Sequence, residues 1–365
     1  MPLDSDNEYW QDYTNLQHVK HELIRDYLGG WFPKLGSWSR RIIYFDTHAG
    51  RGRHVEGQAG SPLVALETFL DHPHRDRILR VSEARFVFVE QAEDNVGALQ
   101  AEVDRLRPFP VGMLVNVYPG DAFQRLETLL AHFDSGHQMA PAFIFVDPYG
   151  FKVPGSTLRR LLAAGRVELF LNVMWRELDM EIAQAHSQDS GGMVETLNSV
   201  FDGGEWRTRI VRDTSFDERA DQAVDLLREK YRAQWATTVR MLGANQQTRY
   251  MLVHFTNHEA GRDLMKDAIW KVCPGFQARR SDNPGQIMLI MPEPNLAPLE
   301  QWVLSALANG PLRWSELTTR VRNGLWRHTH LNDVIRSLRK SGRIVPSGHK
   351  GRFSEKADPL LSLPM

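Results

Sequence analysis

The chain has 365 residues, of which 42% are hydrophobic and 24% are charged, and its formal net charge is −1. This composition is typical of a globular protein with a sizeable core, and it excludes a low-complexity or strongly charged disordered chain. No apolar run in the sequence approaches the roughly 20 residues of a membrane span, and the N-terminus is polar, so we expect a cytoplasmic protein that does not contact membranes. The single cysteine, Cys273, excludes an internal disulfide, and the histidines lack zinc-type spacing, so we expect no bound metal.

Charge is distributed unevenly along the chain. Residues 296–354 carry ten Arg and Lys against three Asp and Glu, a net charge of +7, so the rest of the chain carries about −8. A basic segment that follows an acidic body indicates two modules with different partners.

The first predicted element is a helix at residues 16–31, where apolar side chains recur at helical spacing. It forms most of an N-terminal helical extension, residues 1–41, and we expect the pair Gly29-Gly30 to end it. Lys20 lies outside the apolar stripe of this helix. We expect Lys20 to be solvated, with contact to a ligand or substrate as the alternative.

Five apolar runs follow, and helical patterns separate them. The runs are 42–46, 85–90, 114–117, 142–147 and 167–173. The helical patterns are 92–106, 122–133 and 156–164, preceded by one that begins at Ser61, which we expect to be its N-cap. Strands that alternate with helices predict βαβ units and a parallel, doubly wound α/β sheet of the Rossmann-like kind.

The rest of the large domain, which we predict to span residues 42–291, is more helical. Residues 175–235 have mostly helical patterns and form a predicted helical insertion. Residues 250–255 and 286–291 read as two further strands that complete one edge of the sheet, with a helix at 260–272 between them. A Pro-rich linker then ends this domain.

Residues 292–365 form a second, smaller domain. Three short amphipathic helices are expected near 298–308, 314–322 and 329–341, followed by a hairpin that starts at 343–345 and returns near Phe353. This order describes a winged helix-turn-helix. Its basic residues are suited to neutralising phosphates, which predicts nucleic-acid binding, with protein docking as the alternative. These residues are Arg336, Arg339, Lys340, Arg343, Lys350 and Arg352.

Acidic residues end or closely follow four successive strands of the predicted sheet, namely Asp46, Glu90, Asp121 and Asp147. Each alone is most simply a solvated carboxylate. Right-handed crossovers bring all four to one edge, however, and open α/β sheets bind ligands at that edge. The turn after Asp46 departs from the G-x-G-x-x-G pattern, and no acid follows about 20 residues later, which argues against a nicotinamide dinucleotide.

An adenosine-containing ligand fits the same acids. Glu90 is positioned to hold two ribose hydroxyls, and Asp121 is positioned to meet the adenine amino group. The amino-acid end of S-adenosylmethionine would be held by Asp46 and by the turn that follows it. The turn residues concerned are His48, Ala49, Gly50 and Gly52, where glycine lets the backbone approach a ligand closely.

Five short motifs occur in an order that resembles the three-Cys-motif partner protein family (TcmP). They are Asp46-x-x-Ala49-Gly50-x-Gly52, Gly60-Ser61-Pro62, Phe88-Val89-Glu90, Gly120-Asp121-Ala122 and Val146-Asp147-Pro148-Tyr149-Gly150. The resemblance implies a class I methyltransferase-like fold that binds S-adenosylmethionine, a C-terminal winged helix and a partner protein with three cysteines. The runs Asp46–Gly50 and Lys20-His21 are also similar to ribosomal-RNA adenine-N6 methyltransferases. Neither resemblance defines the substrate.

The run Asp147-Pro148-Tyr149-Gly150 is the candidate catalytic motif. Methyltransferases that act on amino nitrogens of nucleic-acid bases usually carry Asp or Asn, two prolines and an aromatic residue after the fourth strand. The acid or amide and a backbone carbonyl accept the protons of the target amine, and the aromatic ring stacks on the extruded base. Here Asp147 and Tyr149 match those roles, but the second proline is missing, and the motif is also an ordinary tight turn.

Three functions are compatible with these patterns. The first is an S-adenosylmethionine-dependent methyltransferase that acts on a DNA or RNA base, with the winged helix binding the substrate. The alternative is a weak or inactive methyltransferase-fold adaptor that recruits a three-cysteine partner protein to nucleic acid. The weakest reading is a two-metal nuclease built from the clustered carboxylates.

Overall fold

The computed structural model describes residues 14–134, 139–187, 191–243, 246–274, 276–279, 294–347, 351, 353 and 357–364. Packing of the backbone divides these residues into two units. The first extends to Ala268 and includes Gln277–Arg279. The second consists of Ile269–Phe276 together with the residues from 294 onward.

The first unit is built on an eight-stranded sheet. Its strands are β1 (Arg41–Asp46), β2 (Glu83–Glu90), β3 (Met113–Pro119), β4 (Ala142–Val146), β5 (Val167–Val173), β6 (Trp235–Leu242), β7 (Thr248–Thr256) and β8 (Gln277–Arg279). They lie in the order β3-β2-β1-β4-β5-β7-β6-β8. Neighbours among β1 to β5 are parallel, whereas β7 is antiparallel to both β5 and β6. The predicted α/β class is therefore confirmed.

Helices connect these strands. They are α1 (Asn15–Gly36), α2 (Ser61–Leu70), α3 (Arg75–Leu79), α4 (Glu93–Arg105), α5 (Ala122–Asp134), α6 (Gly155–Ala163), α7 (Trp175–Ser187), α8 (Gly191–Val200), α9 (Trp206–Arg209), α10 (Phe216–Lys230) and α11 (Glu259–Val272). Within the described ranges, no helix is both long enough and apolar enough to cross a membrane.

Successive side chains of each strand point to opposite faces of the sheet, and both faces are covered by apolar residues. On one face, Ile43 and Phe45 belong to a core that also contains buried side chains of α5 to α8 and α10. On the other face, the ring of Tyr44 lies 6.1 Å from that of Phe143. Trp31 of α1 packs against Phe143 from the same side. Asp46 follows Tyr44 by two residues, so its side chain points to the face that α1 covers.

Helix α1 is longer than predicted, because it continues through Gly29 and Gly30 to Gly36. The prediction that the glycine pair ends the helix is wrong. At Gly30 the helix packs closely against the side chain of Leu264 in α11, which would have to move to make room for a Cβ. Tertiary packing thus outweighs the weak helix propensity of glycine.

The region after β5 combines a correct prediction with an omission. Helices α7 to α10 account for the predicted helical insertion, and β7 confirms the strand predicted at 250–255. Strand β6 was not predicted, although its residues alternate in burial and include several β-branched side chains. It pairs with β7 as an antiparallel hairpin. The strand predicted at 286–291 lies outside the described residues.

The second unit contains α12 (Ala297–Ala308), β9 (Leu312–Arg313), α13 (Trp314–Asn323), α14 (His328–Lys340), β10 (Val345–Ser347) and β11 (Leu360–Ser362). The predicted helices are confirmed to within two residues at each end. The strands form a small antiparallel sheet in the order β10-β11-β9. The prediction that the hairpin returns near Phe353 is wrong. The partner of β10 is instead β11, at Leu360–Ser362.

Candidate functional site

The residues that follow β1 to β4 meet at the carboxyl edge of the sheet, because these neighbouring strands run parallel. His48, in the turn after β1, lies close enough to three of these residues to feel their charges. Burial lowers the pKa of His48 below its usual value, and the negative charges of Asp147, Glu90 and Asp121 oppose that shift. The structure therefore brings together three of the four predicted acids around the turn after Asp46.

This turn has backbone geometry that requires glycine at two positions. Gly50 has φ 63° and Gly52 has φ 87°, a region that other residues rarely adopt. A Cβ at Gly52 would also lie 2.9 Å from Cδ1 of Leu99. The N–H of Ala49 donates to the carbonyl of Val89 at 3.0 Å, which fixes the turn to the end of β2. The glycine turn is thus a preformed loop at the ligand-binding edge of the sheet.

Glu90, the last residue of β2, supports the same turn. Its Oε2 accepts from the N–H of Gly50 at 2.8 Å, and its Oε1 accepts from the N–H of Ala92 at 2.9 Å. A carboxylate has about four acceptor positions, so each oxygen of Glu90 can still accept one more donor. Glu90 therefore combines a structural role with the capacity to bind paired hydroxyls.

Asp46 is more deeply placed than expected, with 0% of its surface exposed. Its Oδ2 accepts from the hydroxyl of Ser61 at 2.6 Å, and its Oδ1 accepts from the N–H of His48 at 3.2 Å. Burial raises the pKa of Asp46 to about 7, the Ser61 hydrogen bond lowers it, and the charge of Asp147 raises it. The carboxyl anchors β1 to α2, and direct contact with a ligand would require that ligand to reach a fully buried group.

Ser61 accordingly has a different role from the predicted one. The N-cap of α2 is Gly60, and Ser61 is the first residue of the helix. Its hydroxyl points back to Asp46 and makes no capping hydrogen bond. The prediction that Ser61 caps the helix is wrong, since its hydroxyl donates to the buried carboxyl of Asp46 instead.

Asp121 lies at the opposite end of the edge and is exposed. Its Oδ1 accepts from the N–H groups of Phe123 at 2.7 Å and Gln124 at 3.2 Å, so Asp121 caps helix α5. The preceding residue, Gly120, has φ 109° and donates its N–H to the carbonyl of Glu90 at 3.0 Å. Asp121 is therefore held next to the end of β2.

Asp147 follows β4 and is held by two side chains. Its Oδ2 lies 2.5 Å from Nζ of Lys20, and its Oδ1 accepts from Nδ2 of Asn172 at 2.6 Å. Lys20 is only 4% exposed, so the prediction of a solvated lysine is wrong. Helix α1 packs across the sheet, and this brings Lys20 over the ring of Phe145 as well, at 6.0 Å from the ring centroid.

The rest of the candidate catalytic motif differs sharply in exposure. Pro148 is buried, whereas Tyr149 is 57% exposed. Gly150, with φ 88°, reverses the chain immediately afterwards. An anchored carboxylate therefore sits next to an exposed aromatic ring, and a flat ligand can stack on such a ring.

Four of the six residues predicted to bind nucleic acid lie within the described part of the chain. Arg336 and Lys340 are exposed on α14, and Arg339 on the same helix is half-buried. Arg336 also lies 3.3 Å from the carboxylate of Asp333, and Arg343 pairs with Glu300. Lys350 and Arg352 lie outside the described residues.

Metal-binding and thiol chemistry find no support among the residues that the structure describes. Among the residues that the structure describes, no three His, Cys, Asp or Glu side chains form a group that can hold a metal ion. Burial raises the pKa of the Cys273 thiol to about 12, so this cysteine is held in its unreactive protonated form.

Sequence reasoning missed Asn172 as a site residue. It is a polar residue near the end of β5, which is otherwise an almost wholly apolar, buried strand. That contrast is the signal by which it could have been found, since a buried polar residue at a strand end is informative.

Comparisons with known proteins add little. No match was found to a protein-family model or to a curated protein. Among solved structures, the chain is similar to protein LPL1258 from Legionella pneumophila str. Philadelphia 1, described by the family model DUF519, with 13% sequence identity and a TM-score of 0.35. The match covers 70% of this chain and 94% of that one. A TM-score this low supports no conclusion about fold or function.

Proposed function

We propose that the chain is an S-adenosylmethionine-dependent methyltransferase that acts on a nucleic-acid base, and that its second unit binds the nucleic acid. One observation carries the proposal. The Asp147-Pro148-Tyr149 turn follows β4 at the same sheet edge as the glycine turn and Glu90, and the charge of Asp147 acts on His48 within that turn. A methyl donor and an acceptor bound at these two places would lie side by side.

The strand order supports the same reading by analogy. The order β3-β2-β1-β4-β5-β7-β6, with β7 reversed, is the arrangement shared by class I S-adenosylmethionine-dependent methyltransferases. It differs from the dinucleotide-binding order, in which the sixth strand is parallel and adjacent to the fifth. The resemblance of the motifs to the TcmP family points in the same direction.

The residues at the edge fit the cofactor with one exception. Glu90 retains acceptor capacity for two ribose hydroxyls, and the positive-φ glycines leave backbone accessible without a Cβ. Asp121 presents a carboxylate near the end of β2 for a donor on the adenine ring. Asp46 is fully buried and bonded to Ser61, so we assign the amino-acid end of the cofactor to the turn at His48–Gly52. The cofactor supplies a methyl group activated by a sulfonium.

The chain's own contribution is to position the acceptor. Asp147 accepts a hydrogen bond from the amino group of an extruded base, and Tyr149 stacks on the ring. With a sulfonium methyl donor bound, the lone pair of the acceptor nitrogen would form the bond to the methyl carbon and the carbon–sulfur pair would stay on sulfur. The carboxylate of Asp147 would take the proton that the nitrogen loses. Holding the two reactants in line supplies much of the rate.

The second unit suits the delivery of nucleic acid. Its element order is helix, short strand, two helices and two strands, which is the order of a winged helix-turn-helix. Helices α13 and α14 are joined by residues 324–327, a short connection that begins with Gly324. The exposed basic residues of α14 are suited to phosphate contacts.

The direct test is transfer of a labelled methyl group from S-adenosylmethionine to total RNA, duplex DNA and protein, each offered separately. Asp147→Ala and Tyr149→Ala are the informative variants, because the first removes the acceptor beside Lys20 and the second alters an exposed side chain. We expect the label in a nucleic acid. We expect methyl-transfer activity to fall about 100-fold or more in both variants, which is the effect of losing a positioned acid–base group or of misplacing the reactants. Label only in protein, or wild-type activity in both variants, would refute the proposal.

A second candidate function is the adaptor, and one observation favours it. Each carboxylate oxygen of Asp147 already accepts one donor, from Lys20 at 2.5 Å and from Asn172 at 2.6 Å, and the charge of Lys20 makes the carboxylate a weaker acceptor for an incoming amine. In that state the chain would bind nucleic acid and a cysteine-rich partner without transferring a methyl group. Co-purification of such a partner, together with no labelled product from any substrate, would favour the adaptor.

A further inference from the structure

Asn172 presents a hydrogen-bond acceptor that has no use within the fold. The residue is 7% exposed and lies one position beyond Leu171, which pairs with Val146 in the register of β4 and β5. Its Oδ1 is buried and has no hydrogen-bond partner among the described residues. An unmet buried acceptor costs free energy, so its retention in a native fold requires an explanation.

The orientation of this carboxamide is fixed by its neighbours. Nδ2 donates to Oδ1 of Asp147 at 2.6 Å and contacts Sδ of Met174 at 3.6 Å. Rotation of the amide by half a turn would bring Oδ1 against a carboxylate, and two acceptors repel each other. The Nδ2 end of the carboxamide is thus fixed toward Asp147, and Oδ1 of the same carboxamide remains an acceptor close to this carboxylate.

We propose that Oδ1 of Asn172 is the second acceptor for the amino group that receives the methyl group. This inference rests on the proposed function and narrows its substrate class to a base with an exocyclic amine, which is adenine, cytosine or guanine. Such an amine has two N–H donors and is oriented only when both are accepted. Asp147 accepts one, and Asn172 accepts the other.

The sequence around Asp147 explains why a side chain is needed for this task. Amino-nitrogen methyltransferases use a backbone carbonyl next to the two prolines of their motif, and here Tyr149 stands where the second proline would be. Asn172, on the adjacent strand, substitutes a side-chain carbonyl for that backbone group.

The test compares the binding of two cofactor analogues by titration calorimetry. Sinefungin carries an amine where S-adenosylmethionine carries the transferable methyl group, whereas S-adenosylhomocysteine has no group there. The amine of sinefungin therefore probes the acceptors at the transfer position, and S-adenosylhomocysteine controls for the rest of the cofactor site. We expect wild type to favour sinefungin by at least about tenfold, the effect of a hydrogen bond between a charged donor and its acceptors.

In Asn172→Leu this preference is expected to fall to about threefold or less while the affinity for S-adenosylhomocysteine stays unchanged. Asn172→Ser serves as a second variant, because its hydroxyl keeps a polar group at the site but is too short to replace Oδ1. The same preference in both variants as in wild type, or no preference in wild type, would overturn the role of Asn172 and leave the proposed function standing. Absence of binding of either analogue to wild type would overturn the proposed function and this inference together.

Discussion

Lys20 and Asp147 lie 127 positions apart in the sequence, yet Nζ of Lys20 is 2.5 Å from Oδ2 of Asp147. The contact ties the N-terminal helix α1 to the end of β4, at the centre of the candidate catalytic motif. Only 5% of the lysine side chain and 15% of the aspartate side chain are exposed, so water screens the pair little. Helix α1 is therefore part of the site.

Replacement of Lys20 by methionine leaves the carboxylate of Asp147 largely buried without its cation. We expect Lys20→Met to lower the free energy of unfolding by about 3 kcal/mol, the lower end of the cost of breaking a buried pair by removing one partner. Urea denaturation measures this loss. The double variant Lys20→Met/Asp147→Asn removes both charges, and we expect its free energy of unfolding to fall less than that of Lys20→Met alone. A single variant as stable as wild type would contradict the importance of the pair.

The buried carboxyl of Asp46 makes stability depend on pH. Burial raises its pKa from 3.8 to about 7 in the folded state, so the folded protein favours the protonated form. The stability that Asp46 contributes is complete below about pH 4 and is lost as pH rises through 7. Relative to Asp46→Asn, wild type is expected to lose about 4 kcal/mol between pH 4 and pH 8, because one pKa unit corresponds to about 1.4 kcal/mol.

Unfolding of the two proteins in urea across that pH range measures the difference. Ser61→Ala provides the matched variant, since the Ser61 hydroxyl lowers the pKa of Asp46 by donating to its Oδ2 at 2.6 Å. Loss of this hydroxyl raises the pKa of Asp46 further, so we expect the decline in stability to extend to higher pH in Ser61→Ala. A constant stability difference between wild type and Asp46→Asn would show that Asp46 does not titrate in this range.

The basic face of α14 predicts a specific salt dependence of nucleic-acid binding. We expect Arg336→Ala to reduce the slope of log K against log salt for duplex DNA by about 0.9, the value for one lost phosphate contact. Arg228→Ala on α10 is the matched control, because Arg228 and Arg336 each pair with an aspartate three residues earlier, at 3.9 Å and 3.3 Å. Fluorescence anisotropy at several salt concentrations measures both. Equal slopes for the two variants would remove α14 from the interface.

The strands and the acids that follow them could be predicted because both depend on local pattern. Apolar runs that end in Asp or Glu gave β1, β2 and β4, and the alternation with helices gave a parallel sheet. Strand β6 was missed because it follows the helices directly as a partly exposed run without a continuous apolar stretch, and its pairing with β7 stabilises it. Strand β11, at 360–362, has three residues, too few for any periodicity to show.

The partners of the site residues could not be predicted in the same way. Lys20 with Asp147, Ser61 with Asp46 and Asn172 with Asp147 are pairs between separate elements, and their contacts depend on how those elements pack. A sequence shows which residues end a strand. It does not show that one carboxyl is fully buried while another remains exposed, which separates Asp46 from Asp121 here.

Titration calorimetry of S-adenosylmethionine with wild type, Glu90→Ala and Glu93→Ala tests the central claim most directly. Glu93 is the control, because it is exposed in the first turn of α4, three residues after Glu90. We expect wild type and Glu93→Ala to bind equally and Glu90→Ala to bind at least about tenfold more weakly, a difference of about 1.4 kcal/mol. Absence of binding to wild type, or equal binding by all three proteins, would contradict a cofactor site at the carboxyl edge of this sheet.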